Sequence, residues 1–401
     1  MKNEVLLKSV ESFGSPLYIY DGNKIIEQYH KLLSSFSKDI NVRLFYAMKA
    51  SNNINILKLL KKEGCGIDAV SLEEVYLALR ADFKPKDIIY TPNMVSWDEI
   101  VECIDLGVNI NIDNLSFLER LGIEYGNKTP VCIRINPHIM AGGNNNISVG
   151  HIDSKFGISI HQLKHIERIV NFYNIKVIGL HMHTGSDILN PDVFLQGAEL
   201  LYEASENFPH LEFLDFGSGF KVSYKDDEFT PNIEEIGKKI SKSFKDFCKR
   251  TNRELSLYFE PGKFLVSESG KFLVKCNTIK QTTSTTFVGV NSGQNHLIRP
   301  MFYNAYHKIE NLSNPNEIKK LYSVVGYICE TDTFGFNRLI SEVREGDILS
   351  ISNVGAYCYS MSNNYNSRLK PAEAMILNGK TYLIRKREVL KDIIKNEIKV
   401  I

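Results

Sequence analysis

The sequence lacks long apolar runs. None approaches the roughly 18 residues that a membrane-crossing helix needs. The opening MKNEVLLKSVESFG carries no apolar core of the secretory kind. A surplus of charge is also missing. The 48 basic residues face 47 acidic ones, leaving a formal +1 with no long basic run, so nucleic acid and membranes are not the expected partners. Paired cysteines are absent too. The seven lie scattered at Cys65, Cys103, Cys132, Cys248, Cys276, Cys329 and Cys358. An odd number without a CxxC pair argues against a disulfide framework and against a zinc site, and makes the reducing cytoplasm the expected compartment. Neither repeats nor low-complexity linkers divide the chain.

What is present is ample material for a core: 43% hydrophobic residues, with 22 Phe and 19 Tyr. A length of 401 residues predicts two domains, or one barrel of about 250 residues with something attached. Strand candidates recur at 43–48 (RLFYAM), 66–70 (GIDAV), 87–91 (DIIYT), 108–112 (VNINI), 131–136 (VCIRIN), 176–183 (KVIGLHMH), 213–216 (FLDF) and 256–260 (SLYFE). Amphipathic stretches such as 55–63 (NILKLLKKE) and 71–80 (SLEEVYLALR) separate most of them. Strand followed by helix in this rhythm is the arithmetic of a closed parallel (β/α)8 barrel. After about residue 266 the pattern becomes β-rich, as in KFLVKCNTIKQT, TTFVGVN, LYSVVGYICE and DILSISNVGAY. The expected division is a barrel over 23–265 and a mainly antiparallel β domain over 266–401, with residues 1–22 pairing into it through PLYIY. One large mixed domain is the alternative.

In such a barrel, functional residues collect where the strands end at their C-termini. Those ends hold Lys49, Asp68, His183 followed by Thr184, Gly185 and Ser186, then Gly217-Ser218-Gly219, and Glu260-Pro261-Gly262-Lys263. A lysine there either snorkels to solvent or is held inward with a lowered pKa. A desolvated amine attacks carbonyls, which is how pyridoxal phosphate (PLP) is held. PLP makes further demands: glycine turns whose N–H groups reach its phosphate, and a carboxylate for its pyridine nitrogen. Gly219 and Gly262 meet the first demand and Glu260 the second, although Glu260 would serve equally in a structural ion pair. His183 is placed to stack on the ring. Strand alternation puts His181 and His183 on opposite faces, so no metal is expected and His181 reads as a hydrogen-bonded core residue. In the β domain, Cys329-Glu330, Arg299 with Tyr303, and Tyr357 stand out, each with an ordinary structural reading beside the functional one.

The motifs YAMKA, GLHMHTGS, DFGSGF, EPGKFLV, RPMFYNAYH, GYICETDTFG and GAYCYSMSNNYNSR follow in an order that resembles the PLP-dependent decarboxylases of the alanine-racemase-like barrel fold. The resemblance runs from about Ser15 to about Ala374 and is greatest to the branch acting on meso-2,6-diaminopimelate. It implies that Lys49 is the Schiff-base lysine and that His183 stacks on the cofactor. It implies that Ser186, Gly219, Glu260, Pro261, Gly262 and Lys263 serve the cofactor, with Glu260 on the pyridine nitrogen and Tyr357 also near it. Arg299, Tyr303, Glu330, Tyr357 and Lys263 would contact substrate, and Cys329 would be the acid that protonates the product carbon. It further implies a head-to-tail homodimer with shared active sites, Cys329 and Glu330 reaching into the partner's barrel. Two departures stand out: Lys263 replaces the usual arginine, and Ser218 interrupts the usual three glycines. A substrate with a distal amine and a distal carboxylate requires both signs, which Arg299, Lys263 and Glu330 supply. The expected reaction is therefore decarboxylation to L-lysine and carbon dioxide, the last step of lysine biosynthesis. Carboxynorspermidine or another basic amino acid is the alternative, and a silent binding protein or a PLP racemase on the same barrel are the rivals.

Overall fold

The computed structural model describes residues 1–139 and 154–401. The chain forms two compact units. One comprises Ile26–Val222 and Phe229–Leu265, the other Met1–Ile25, Ser223–Glu228 and Val266–Ile401. The first strand, β1 (Leu17–Asp21), lies in the second of these.

The barrel is built from β2 (Asn41–Ala47), β3 (Gly66–Ala69), β4 (Ile88–Tyr90), β5 (Asn109–Ile112) and β6 (Val131–Asn136). After β7 (Ile158–Ser159), a two-residue strand beside β6, it continues with β8 (Val177–His181), β9 (Phe213–Asp215) and β10 (Ser256–Phe259). Neighbours pair in parallel, and β10 closes the ring by pairing with β2. All the expected staves are present, each within a few residues of its sequence-based bounds. Helices cover the outside, so strands such as β3, β4 and β6 are buried along their whole length and read as near-continuous apolar runs.

The helices start where the sequence offers a cap. Asn53, Ser71, Ser96 and Asn114 each accept a backbone N–H with their side-chain oxygen just ahead of Ile54–Lys62, Leu72–Arg80, Trp97–Asp105 and Leu115–Tyr125. Each such cap contributes about 1 kcal/mol. On the long helix Ile233–Thr251, Ile236, Ile240, Phe244 and Phe247 recur every three or four residues and are buried, while lysines occupy the remaining faces.

The second unit is mainly antiparallel. Its strands are β11 (Gly270–Gln281), β12 (Thr286–Val290), β13 (Ile309–Asn311), β14 (Lys319–Val325), β15 (Thr333–Ser341), β16 (Ile348–Ser352), β17 (Ala372–Leu377) and β18 (Lys380–Arg385). β1 enters this sheet, antiparallel to β11 and parallel to β17. Leu17, Ile19, Leu273, Ile348 and Ala374 form its core. A helix at Asn3–Phe13, which the sequence reading did not anticipate, adds the buried Leu6 to that core.

The segment Ser223–Glu228 also belongs with this unit. Asn353 Nδ2 donates to Ser223 O at 2.8 Å, Lys308 pairs with Asp226 at 3.0 Å, and Tyr224 packs edge-on against His307. All seven cysteines are free thiols, and no helix among the described residues is long and apolar enough to cross a membrane.

Candidate active site

Past its last residue, β2 tightens into a single 3-10 turn, Met48–Ala50, which carries Lys49. The Lys49 Nζ stands 3.0 Å from Asp68 Oδ2; the Asp68 side chain is fully buried, whereas that of Lys49 is 43% exposed. The lysine is thus neither simply solvated nor simply buried: its amine rests on an interior carboxylate with one side open. Burial raises the Asp68 carboxyl, nearby Glu260 raises it further, and Lys49 opposes both.

Strand β8 stops at His181, so the alternation that would send His181 and His183 to opposite faces ends before His183 is reached. Both imidazoles act on Glu260. His181 is a hydrogen-bonded core residue, as expected, and its partner is Glu260: its Nε2 lies 3.0 Å from Glu260 Oε2, both side chains buried. His183 Nδ1 accepts the Ser218 N–H at 3.2 Å, which leaves Nε2 to carry the proton of the neutral ring. Burial, with Arg134 and Lys49 adding to it, pushes that imidazole down to about 3.

After β9 the chain turns through Gly217-Ser218-Gly219. A Cβ at Gly217 (φ +62°) would meet Met182 O at 2.7 Å, and one at Gly219 (φ +143°) would meet Gly185 O at 2.8 Å. Only glycine fits those two places. The departure from three glycines therefore falls on the middle position, Ser218, whose N–H is free to reach His183. Asp215 anchors the turn by accepting the Gly217 N–H at 2.8 Å, and the Glu260 N–H donates to Gly217 O at 2.7 Å. Pro261 O accepts the Ala47 N–H, and a Cβ on Gly262 would touch Ala47 at 3.2 Å. Lys263, which opens the short helix Lys263–Val266, is engaged by the carboxylate of Asp187, beside the half-buried Ser186.

The electrostatics at this mouth are uneven. Burial pushes the Glu260 carboxyl up, but His181, Lys49 and His183 outweigh it and leave it at about 2, an ionised carboxylate. Asp215 goes the other way, well above the carboxylate range, through burial and then through Glu260. Buried Arg134, in the middle of the apolar VCIRIN strand, faces Glu260, Asp68 and Asp215.

Several buried polar atoms here have no hydrogen-bond partner among the described residues: Asp68 Oδ1, His181 Nδ1, Thr184 Oγ1, Asp215 Oδ2 and Glu260 Oε1. Orphaned groups of this kind in a native fold call for a polar ligand. PLP fits them: an amine for its aldehyde, an ionised carboxylate with an unused oxygen for its ring N–H, and crowded glycine turns for its phosphate. His181, Asp215 and Glu260 also place one ligand atom each within 4.8 Å of one another, a spacing that a single cation could use.

The other residues singled out in the sequence lie in the second unit. The Arg299 guanidinium sits over the rings of Tyr224 at 5.6 Å and Tyr303 at 5.7 Å. Cys329 is exposed, with Asn366 Nδ2 at 3.2 Å from its sulfur, and exposed Glu330 accepts from Gln294 Nε2. Half-buried Tyr357 holds a left-handed φ of +56°, which a bulky side chain adopts only when its surroundings impose it. Sequence reasoning missed Asp215, Arg134, Asp187 and Asn366. Asp215 was open to the same strand-end rule that found Glu260, and an arginine inside an apolar strand was a signal for Arg134. Asp187 and Asn366 had none.

Comparison with known proteins agrees with this chemistry. Residues 22–267 match the family model described as the pyridoxal-dependent decarboxylase, pyridoxal binding domain. The diaminopimelate decarboxylase of Methanothermobacter thermautotrophicus is 36% identical, covering 96% of this chain and 92% of that protein. The Campylobacter jejuni enzyme of the same name is 33% identical, covering 97% of each. Among solved structures, Helicobacter pylori diaminopimelate decarboxylase complexed with L-lysine superposes with a TM-score of 0.90 at 29% identity, covering 98% of this chain and 99% of that one. An L-lysine complex of the Methanocaldococcus jannaschii enzyme gives 0.90 at 32%, covering 98% and 94%. With a fold, a polar strand-end mouth and a nearly end-to-end likeness that agree, this chain belongs to the pyridoxal-dependent decarboxylases, in the diaminopimelate decarboxylase branch of that family.

Proposed function

We infer that this chain decarboxylates meso-2,6-diaminopimelate to L-lysine and carbon dioxide, closing lysine biosynthesis. The observation that carries this reading is the pairing of an amine on a buried carboxylate (Lys49 on Asp68) with a buried, ionised Glu260 at the same barrel mouth, in a chain matched along its length by enzymes of that activity.

PLP, when bound, supplies the electron sink for the pair left on the substrate carbon as carbon dioxide departs. Lys49 is the covalent anchor for the cofactor. Glu260 holds the proton on the ring nitrogen, and a low carboxyl pKa suits it to that task. His183, neutral at working pH, would pack against the cofactor ring. Ser186, Gly219, Pro261 and Gly262 line the phosphate turns. The sequence favoured Lys263 as a second cation for the distal carboxylate; because Asp187 already matches its charge, the greater weight passes to Arg299. Glu330 takes the distal ammonium, Tyr303 and Tyr357 orient the substrate, and the Cys329 thiol delivers the proton to the product carbon. We assign these last groups to a homodimer in which Cys329 and Glu330 serve the partner subunit's barrel. A working thiol and seven free cysteines favour a reducing cytoplasm.

The test is direct. Purified protein loaded with PLP, given meso-2,6-diaminopimelate, releases carbon dioxide and L-lysine in equal amounts. Failure with diaminopimelate alongside release from a diamine precursor would overturn the substrate assignment.

A further inference from the structure

Glu260 does not stand alone. Behind it lie two buried groups that the reaction above does not use, His181 on β8 and Asp215 at the end of β9. His181 Nε2 is 3.0 Å from Glu260 Oε2. Asp215 commits Oδ1 to the Gly217 N–H at 2.8 Å, its Oδ2 has no hydrogen-bond partner among the described residues, and its carboxylate places an oxygen within 4.8 Å of one on Glu260. Two carboxylates at 1% and 7% exposure cannot both ionise cheaply at this separation. Their surroundings decide which one keeps the proton. Glu260 has His181 in contact, with Lys49 and His183 near it. Asp215 shares His181 and Arg134 with Glu260 as neighbours, but the charges acting most on it are the acidic Glu260 and Asp68, which push its carboxyl up.

We propose that Asp215 stands in this fold as the neutral acid, donating its O–H to Glu260, and that Asp215 and His181 together are positioning residues that clamp the Glu260 carboxylate toward the cofactor's ring nitrogen. The proposal rests on the assignment of Glu260 to that nitrogen. Two donors from behind keep the carboxylate in one orientation and satisfy its inner lone pairs, leaving the outer ones for the ring N–H. The upward push on the Asp215 carboxyl, from burial and from Glu260, agrees with a proton held there.

The experiment uses the full-length apoprotein and two probes, PLP and its analogue with C–H in place of the ring nitrogen. Each is titrated against the parent, Glu260→Gln, His181→Phe, Asp215→Leu and Asp215→Asn. The parent should prefer PLP over the analogue. Asp215→Leu and His181→Phe should erase most of that preference, by at least about tenfold, the usual cost of losing a hydrogen bond to a charged group. In turnover they should lower kcat more than they raise KM. Asp215→Asn should rescue what Asp215→Leu loses, because a carboxamide still accepts from Gly217 N–H and still donates toward Glu260. A tenfold loss in Asp215→Asn would show an ionised Asp215 and overturn the proposal, and this variant is isosteric enough to fold. Retention of the PLP preference in both Asp215→Leu and His181→Phe, while Glu260→Gln loses it, would refute the clamp and leave the role of Glu260 intact. If Glu260→Gln itself keeps the preference, the assignment of Glu260 fails and takes the clamp with it.

Discussion

His307 offers a quantitative test of how the β unit tolerates acid. Its ring is fully buried, Nδ1 donates to Ser352 O at 2.9 Å, and it packs edge-on against Tyr224, the ring that also carries Arg299. Burial, with Arg299 and Arg338 adding to it, pushes the imidazole from 6.5 down to about 3. A histidine depressed in this way is neutral in the fold and protonates in the unfolded chain once the pH drops below about 6.5. The unfolded state then binds more protons, so stability falls as the pH falls. The loss runs at about 1.4 kcal/mol per pH unit, reaching about 2 kcal/mol at pH 5. His307→Asn keeps a donor for Ser352 O but deletes part of the ring, at a cost of about 1–2 kcal/mol from the cavity. The variant should therefore be weaker than the parent at pH 7.5 and about equal to it near pH 5. Buried acids such as Asp332, whose carboxyl is raised, titrate alike in both proteins and cancel in the difference. Urea unfolding followed by far-ultraviolet circular dichroism gives the gap at each pH. Fluorescence of the single tryptophan, Trp97, follows the barrel separately. A gap that stays constant within about 0.5 kcal/mol from pH 7.5 to 5 would show that His307 titrates normally and would refute the reasoning.

Further expectations follow from the barrel and the β unit. Lys49→Ala should stay folded yet lose the visible absorbance of bound cofactor and nearly all turnover; near-normal carbon dioxide release would remove Lys49 from its role. Glu260→Gln should keep the cofactor and lose roughly ten- to hundredfold in kcat, because an amide cannot hold the ring proton as a carboxylate does; stopped-assay kinetics at saturating substrate read this. Mixing Lys49→Ala chains with Cys329→Ala chains should restore part of the activity if sites are shared, and no recovery under proven subunit exchange would mean that each chain works alone. Arg299→Ala should raise KM for diaminopimelate roughly ten- to hundredfold with a smaller fall in kcat, whereas Lys263→Ala should act mainly on PLP affinity. A reversal of those two effects would return the distal carboxylate to Lys263.

The sequence by itself determined the parts that depend on near neighbours. Apolar runs of strand length alternating with amphipathic stretches dictate a β/α barrel, since each run must be buried on both faces and each helix on one. Side-chain oxygens ahead of Ile54, Leu72, Trp97 and Leu115 mark where helices begin. The strand-end rule then brought Lys49, His183, Gly219 and Glu260 into view without any coordinates. The tertiary structure decided how these groups are charged. His181 and Glu260 are 79 residues apart, and Lys263 and Asp187 are 76 apart; neither pairing has a local signature, because both arise only when the ring of strands closes. The same holds for Ser223–Glu228, which follows β9 in sequence but finds its hydrogen bonds in the β unit. Periodicity reports which face of an element is apolar. Which carboxylate keeps its proton depends on desolvation and on charges brought together from strands far apart in the chain, and those exist only in the folded state.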